Sequence, residues 1–256
     1  MRLLLHDTLA TAPLTFPLVE GWLEPAFSVE SRLSLRATSV GSTDVALVPS
    51  AEIAILHETH VVLSEIAVIA DQIGVVAMRT PLRPDDVGLT PVRIWGASGS
   101  TEILARATIQ PFYGIVPTEW TSADSAPAKV VVVEGAPAIQ PPEAGFAEDL
   151  IRAWFILSGQ PFVSHLLVAP KDLSRDDVEP VLTALASART LAHERRRDLR
   201  RALAERHDLD RDRLAAVHNA QRYRIEDDDR RALIMLLQKG NKGSAYPYPW
   251  DVPFLD

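Results

Sequence analysis

The segment most able to bind a ligand consists of small hydroxyl residues between an apolar stretch and a helical pattern. The segment consists of Trp95, Gly96, Ala97, Ser98, Gly99, Ser100 and Thr101. Unpaired N–H groups in the first turn of a helix bind anions, and Ser or Thr hydroxyls add further hydrogen bonds. No Gly-Lys-Ser/Thr follows, so the segment is not a P-loop. It predicts an anion-binding helix start or, as the simpler alternative, a plain N-cap turn.

Two other predicted strand ends carry hydroxyl groups. One strand ends at Ser50, and the other is followed by Thr8 and Thr11. Ligands in open α/β sheets collect at the carboxyl ends of the strands. If these strands are parallel neighbours, we expect their hydroxyls to line one cleft together with those of Ser98 and its neighbours.

The histidines do not form a recognisable metal or catalytic motif. The tetrapeptide from His57 to His60 has its two histidines three positions apart, so it is not His-Glu-x-x-His, and we expect solvated loop residues there. His6 and Asp7 could be half of a catalytic triad, but no Gly-x-Ser-x-Gly motif supplies the nucleophile. The chain has no cysteine. We therefore expect no metal site.

The composition is that of a globular protein. The chain has 256 residues, of which 47% are hydrophobic and 23% charged, and its net charge is −8. This acidity gives no support to binding of nucleic acid or of a membrane. Only three leucines follow Met1-Arg2, whereas a secretory signal needs about 7–15 apolar residues. A cytoplasmic location is therefore expected.

Arginines are concentrated between Arg189 and Arg231, where acidic residues alternate with them. Such alternation is typical of exposed helix faces with ion pairs between successive turns. Binding of RNA or DNA is the alternative, but no aromatic side chains accompany the arginines to stack on bases. We expect a structural role and no nucleic-acid partner.

Short apolar runs alternate with helical patterns, which is typical of an α/β fold. The patterns predict strands at Met1–Leu5, Asp44–Val48, Val61–Ala70, Ile73–Met78, Val92–Trp95, Ala128–Val133 and Phe162–Val168. They predict helices at Ala12–Leu23, Ala51–Leu56, Ser98–Tyr113 and Phe146–Ser158, with three more between Ser174 and Ile234. Surface loops or hinges are expected at Thr80–Pro91 and Thr121–Pro127, and an extended tail at Ala245–Asp256.

Four stretches of residues 1–170, taken in order, show a family resemblance: Leu9–Leu14, Asp44–Ser50, Ser98–Thr101 and Asp149–Val163. The second is very like the pattern Asp-Val-Ala-Leu-Ile-Pro-Ser, and the fourth is close to Asp-Leu-x-x-x-Trp-x-x-x-Thr-Gly-x-Pro-Phe-Val. These patterns belong to the futalosine-pathway menaquinone-biosynthesis proteins of the chorismate dehydratase type, which the chain resembles and which have the type 2 periplasmic-binding-protein fold.

Two positions depart from the family pattern. The family's loop Asn, implicated in its chemistry, falls on Ala10, and the Arg of its Ser-Arg-Thr-Ser motif falls on Gly99. A methyl group cannot hydrogen-bond a substrate, and glycine cannot pair with a carboxylate. Because a loop beside a cleft has room and solvent, we expect Ala10→Asn to fit.

The resemblance implies two α/β lobes with a ligand cleft between them and a helical C-terminal part. Lobe one would contain residues 1–79 and 170–256, and lobe two residues 80–169. The two crossovers would form a hinge that closes the cleft on its ligand.

The resemblance also implies an enzyme, a carbon–oxygen lyase that dehydrates chorismate or a related cyclic carboxylic acid without metal or organic cofactor. Ser98 would then be catalytic, and the substrate would be bound by Thr8, Thr11, Ser50, Gly99, Ser100 and Thr101. The alternative is a non-catalytic cytoplasmic protein that binds a small carboxylate. Either way the expected partner is a small carboxylate, with neither nucleic acid nor membrane, and the oligomeric state stays open.

Overall fold

Apolar, β-branched runs form two separate sheets in the computed structural model, which describes residues 2–123, 128–247 and 251–255. The predicted loop at Thr121–Pro127 and the predicted extended tail therefore lie partly outside the described residues. The strands are β1 (Arg2–His6), β2 (Ser28–Arg32), β3 (Asp44–Pro49), β4 (His60–Ala70), β5 (Val76–Thr80), β6 (Leu89–Trp95), β7 (Val116–Thr121), β8 (Val130–Glu134), β9 (Phe146–Asp149), β10 (Phe162–Pro170), β11 (Gln221–Arg222) and β12 (Phe254–Leu255).

The helices cover the sheets and pack against each other. They are α1 (Ala12–Val19), α2 (Ile53–Leu56), α3 (Gly99–Tyr113), α4 (Ala136–Ile139), α5 (Leu150–Ser158), α6 (Arg175–Glu194), α7 (Arg196–His207), α8 (Arg211–Asn219) and α9 (Asp227–Gly240). No helix in the described part of the chain is both long enough and apolar enough to cross a membrane.

The larger sheet belongs to lobe one. Its strand order is β11-β4-β10-β3-β1-β2, with β12 paired to β4. Strands β1, β2 and β3 run parallel, whereas β10 is antiparallel to both β3 and β4. All residues of β3 and β10 are buried, as expected for central strands that are covered on both faces.

The smaller sheet belongs to lobe two, in the order β7-β6-β8-β5-β9. Strands β6, β7 and β8 are parallel, and β5 is antiparallel to β8 and β9. The carboxyl ends of β6 and β8 therefore lie at one edge, just as those of β1 and β3 do in the larger sheet. These two edges position the residues of the cleft.

Helix α3 connects the two lobes. Ser98 caps its start by accepting the N–H of Thr101, and Gly114 ends it in the left-handed conformation at a φ of 70°. The helix packs on α5 of its own lobe and on α9 of lobe one. A Cβ at Gly240 would collide with the backbone of Ile103, so the two helices approach closely because this residue is glycine.

Several sequence-based boundaries need correction. Asp149 caps α5, so the predicted helix at Phe146–Ser158 begins only at Leu150, and its first four residues form β9. The region from Ser174 to Ile234 holds four helices or parts of helices, since α6 ends at Glu194 and α7 begins two residues later. The strands β7 and β9 were not predicted.

The predicted lobe boundaries are also wrong, because strands β5 and β10 each pair with strands of the other lobe. The prediction placed β5 almost wholly in lobe one and β10 in lobe two. Instead β5 pairs with β8 and β9 in the smaller sheet, and β10 pairs with β3 and β4 in the larger one. The chain therefore crosses between the lobes at residues 71–75 and 159–161.

Candidate active site

A cleft of about 690 Å³ lies where the strand ends of the two sheets face each other. Lobe one supplies the end of β1 and the segment after β2, and lobe two supplies the ends of β6 and β8. The polar and aromatic side chains that carry the chemistry discussed below are His6, Thr8, Arg36, Ser98, Trp120 and Glu134. The cleft is thus built from both lobes, as the resemblance implies.

The start of α3 already holds a carboxylate, which is the chain's own Glu134. One oxygen of Glu134, at the end of β8, accepts the N–H of Ser98 at 2.6 Å and the hydroxyl of Thr101 at 2.8 Å. Helix starts favour such negative groups. The predicted anion site is therefore filled from within the protein, although Ser98 itself still lines the cleft.

The hydroxyls of Ser50 and Ser100 join the two lobes behind the cleft wall. Ser50 donates to the carbonyl of Val163 at 2.6 Å, and its oxygen lies 3.0 Å from that of Ser100. Ser100 also accepts the N–H of Ala51 at 3.1 Å. Both serines are buried and fully hydrogen-bonded, so neither lines the cleft in this conformation.

Thr8 and Thr11 shape the loop after β1. The buried Thr11 hydroxyl donates to the carbonyl of His6 at 2.7 Å and accepts the N–H of Thr8 at 2.9 Å. This arrangement is a local turn built by a threonine. Only Thr8 of the pair lines the cleft.

Gly99 provides space for a tyrosine from the C-terminal segment. A Cβ at Gly99 would collide with the hydroxyl of Tyr246. That hydroxyl donates to Glu52 at 2.9 Å and accepts a hydrogen bond from Arg36. Arg36, from lobe one, also lies 3.4 Å from the carbonyl of Ala97. The family's arginine is absent from α3, and an arginine from the opposite lobe lines the cleft next to the same helix start.

A chain of hydrogen bonds runs from the cleft into the core of lobe one. His6 lies 3.2 Å from the carbonyl of Leu33 and, through its other nitrogen, 2.8 Å from His165. His165 lies 3.0 Å from the hydroxyl of Ser164, which lies 3.0 Å from the carbonyl of Val68. Both ends of the chain are carbonyl oxygens, which only accept hydrogen bonds.

The number of protons in this chain limits what it can do. The four hydrogen bonds of the chain need four protons. Ser164, His165 and His6 together provide three when all of them are neutral. With Ser164 donating to Val68, the neutral arrangement leaves the nitrogen of His6 beside Leu33 without a proton. One additional proton on His6 completes all four hydrogen bonds. The nitrogen of His6 beside the Leu33 carbonyl is therefore the position at which this chain can take up a further proton.

Burial opposes that protonation when the cleft is empty. It lowers the pKa of His6, an effect that the negative charge of Glu134 partly offsets. Burial and the neighbouring His6 hold the pKa of His165 well below its ordinary value. A further negative charge near His6 would favour its protonated form.

Ala10 does not face the cleft, contrary to expectation. Its side chain is 2% exposed and packs in the core of lobe one with Leu9 and Leu14. An asparagine there would bury an amide in apolar surroundings, which costs about 1–3 kcal/mol when it finds no partner. The expectation that Ala10→Asn would fit is therefore wrong for this conformation.

Sequence reasoning did not single out Glu134 or Arg36, and it did not place His6 among the site residues. Glu134 did carry a usable signal, because it ends an apolar strand, and Ser50 directly follows one. Arg36 lies in an irregular segment after β2 and had no such signal. Among the described residues, no group of three or more acidic or histidine side chains is arranged to hold a metal.

Comparisons with known structures identify the fold. Protein AF1704 from Archaeoglobus fulgidus aligns with a TM-score of 0.68 at 15% identity, covering 94% of this chain and 97% of its own. The periplasmic aliphatic sulphonate binding protein SsuA from Escherichia coli has a TM-score of 0.65 at 15% identity, with 96% and 93% covered. A Candida albicans protein described as having the generic periplasmic binding protein fold has a TM-score of 0.55 at 12% identity, with 98% and 92% covered.

These structural similarities show the two-lobed periplasmic-binding-protein fold. A search of the curated proteins found no matching sequence. The family model described as menaquinone biosynthesis matches residues 28–242, which is most of the chain, although His6, Thr8 and Leu9 of the cleft precede the match. The protein therefore belongs to the menaquinone biosynthesis family.

Proposed function

We propose that this protein dehydrates chorismate or a closely related cyclic carboxylic acid in the cleft between its lobes. The observation that carries the proposal is the placement of His6 and Glu134, which come from opposite lobes and line one cleft. Behind His6, the hydrogen-bond chain is complete only when His6 accepts a proton. This is the arrangement that a proton-transfer reaction requires.

The substrate's carboxylate would bind to Arg36 and the nearby hydroxyls. Arg36 is the cation on the lobe-one side of the cleft, where it forms an ion pair with Glu52 at 3.3 Å, and Thr8 and Ser98 offer hydroxyls on either side. A guanidinium binds a carboxylate through paired hydrogen bonds. Thr11, Ser50, Gly99, Ser100 and Thr101 would then act indirectly, by shaping the loop and the helix start.

The reaction needs one proton to move and one hydroxide to leave. His6 would take a proton from a ring carbon, and the electron pair of that C–H bond would become a ring double bond. The bond from the adjacent carbon to its hydroxyl would break, and the proton on His6 would convert the departing hydroxide into water. The ring becomes aromatic, so much of the driving force lies in the substrate and the protein mainly orients it.

Glu134 would stabilise the protonated His6 across the closed cleft. Its carboxylate is held by Ser98 and Thr101, and its charge raises the pKa of His6 against the effect of burial. Closure of the lobes would exclude water and strengthen this interaction. No metal or organic cofactor takes part in this proposal.

A second candidate is a non-catalytic binding protein for a small carboxylate. The observation that favours it is Ala10, which stands where the resembling enzymes have an asparagine. The similar solved structures include proteins described as binding proteins, such as SsuA. This candidate predicts tight binding of a carboxylate without turnover.

A variant of His6 tests the proposal. His6→Asn keeps a polar side chain but removes the group that accepts the proton, so aromatic product formation should fall about 100-fold or more. His57→Asn, which lies outside the cleft, is the matched control and should retain wild-type turnover. Equal turnover in His6→Asn and the wild type would refute the role of His6. Binding without turnover in the wild type would favour the second candidate.

A further inference from the structure

A second pocket lies in lobe one, away from the interlobe cleft. It has a volume of about 480 Å³ and is formed by the end of α6, the face of α7, the end of α8 and the residues after it. We call it the arginine pocket, defined by Arg189, Arg196, Arg200, His193 and Tyr223. None of these residues lines the cleft.

The arginine pocket concentrates positive charge in an acidic protein. Three guanidinium groups line it, and no aspartate or glutamate is among its described lining residues, although the chain has a net charge of −8. Elsewhere on α6 and α7, Arg175, Arg201 and Arg206 form ion pairs with acidic side chains. Within the described residues, the three arginines of the pocket have no such ion pair. Their charge is therefore available to a ligand.

Two of the arginines are held in place by neutral partners. Arg200 donates to the side-chain oxygen of Asn219 at 2.7 Å, and the guanidinium of Arg189 lies 5.9 Å from the centre of the Tyr223 ring. These contacts restrict the side chains without neutralising them. Restricted guanidinium groups lose less conformational entropy when they bind an oxyanion.

The back wall of the pocket is uncharged at pH 7. His218 donates to the carbonyl of Leu9 at 3.0 Å, and burial lowers its pKa to about 4, so it is neutral at pH 7. The apolar side chains of Pro13 and Leu199 complete the wall. The pocket thus combines a cationic rim with an apolar floor, which suits a small organic anion better than a hydrated ion.

We propose that the arginine pocket is a second binding site, for a small molecule that carries at least two phosphate or carboxylate groups. Guanidinium groups bind both kinds of oxyanion through paired hydrogen bonds. Three of them match more than one negative group, and the volume accommodates a small organic ligand. The proposal is independent of the reaction in the cleft.

Titration calorimetry on the full chain tests the proposal, with inorganic pyrophosphate and benzene-1,3-dicarboxylate as separate probes. At least one probe should bind, and their relative affinities show whether phosphate or carboxylate is preferred. Arg196→Gln with Arg200→Gln should weaken that binding about tenfold or more, because two guanidinium groups that could bind the oxyanions are lost.

A matched control removes the same charge from the same helix. Arg197→Gln with Arg201→Gln changes two α7 arginines that do not line the pocket, so it should change the affinity less than about twofold. Equal losses in the two double variants would show a general charge effect and overturn the proposal. The absence of binding by either probe would also overturn it. So would salt-sensitive binding of duplex DNA or RNA through these arginines when neither probe binds.

Discussion

At the scale of single residues, Glu134 has the largest consequence for ligand binding. It places a negative charge on the helix start that sequence reasoning assigned to a substrate carboxylate. A ligand carboxylate in the same cleft would be repelled by Glu134 and attracted by Arg36, whose charge is partly offset by its ion pair with Glu52.

Replacing Glu134 should strengthen the binding of simple carboxylates. Glu134→Gln keeps an oxygen for Ser98 and Thr101 but removes the charge, so benzoate should bind about 3- to 10-fold more tightly, equivalent to about 1 kcal/mol. Glu148→Gln, outside the cleft, provides the control for net charge. Isothermal titration compares the three proteins. Weaker binding by Glu134→Gln would mean that Glu134 positions the ligand and does not repel it.

Gly99 shows why one departure from the family pattern is tolerated. Tyr246 occupies the space above it and binds Glu52 and Arg36, so an arginine at Gly99 would have to displace the tyrosine. We expect Gly99→Arg to lower the free energy of unfolding by about 1–3 kcal/mol, through loss of these buried hydrogen bonds.

Urea denaturation measures this effect, and Tyr246→Ala provides the matched background. In the presence of Tyr246→Ala, the additional cost of Gly99→Arg should be much smaller, because the collision is gone. Additive costs of the two changes would show that Tyr246 is not the reason for the glycine.

At the scale of elements, α8 is attached to the cleft loop by a histidine. His218 donates to the carbonyl of Leu9, and Leu9 lines the cleft. Burial lowers the pKa of His218 to about 4. The unfolded chain, with an ordinary histidine pKa of about 6.5, therefore binds more protons than the folded one between pH 6.5 and 4. The stabilisation is complete above pH 6.5 and is lost as the pH falls towards 4.

Removing this titration should flatten the pH dependence of stability. His218→Gln retains an N–H donor for Leu9 but does not titrate. Both proteins should lose unfolding free energy when the pH falls from 7 to 5, and the wild type should lose about 2 kcal/mol more than His218→Gln. Urea denaturation at the two pH values measures the difference. His193→Gln, at an exposed position on α6, is the control. Identical pH profiles for His218→Gln and the wild type would contradict the assignment.

Some elements could be predicted from the local sequence and others could not. The buried strands β1, β3 and β10 and the helix α3 were predictable, because apolar runs and a capping serine depend only on nearby residues. The strand β9 was not, since Phe146–Asp149 joins a helix-like pattern and is held by pairing with β5, which lies far away in sequence. The membership of β10 in the larger sheet likewise depends on its partners β3 and β4.

The candidate site was predictable only in its location. Strand ends with polar residues indicated the cleft, and both Thr8 and Ser98 line it. Glu134 reaches the helix start through contacts with residues 33 and 36 positions away, and Tyr246 lies above Gly99, which is 147 positions away. No local pattern contains such information.

At the scale of the whole molecule, the two sheets bring a histidine and a carboxylate to opposite sides of one cleft. His6 lies at the end of β1 and Glu134 at the end of β8, and both line the cleft. In the proposed reaction, closure of the lobes on the substrate would couple binding to proton transfer.

The most direct test of this account is incubation of the wild-type protein with saturating chorismate at pH 7, followed by mass analysis of the product. The account predicts enzyme-dependent formation of an aromatic acid that is lighter than the substrate by one water. Binding of chorismate in the cleft without any such product, in protein shown to be folded, would contradict it.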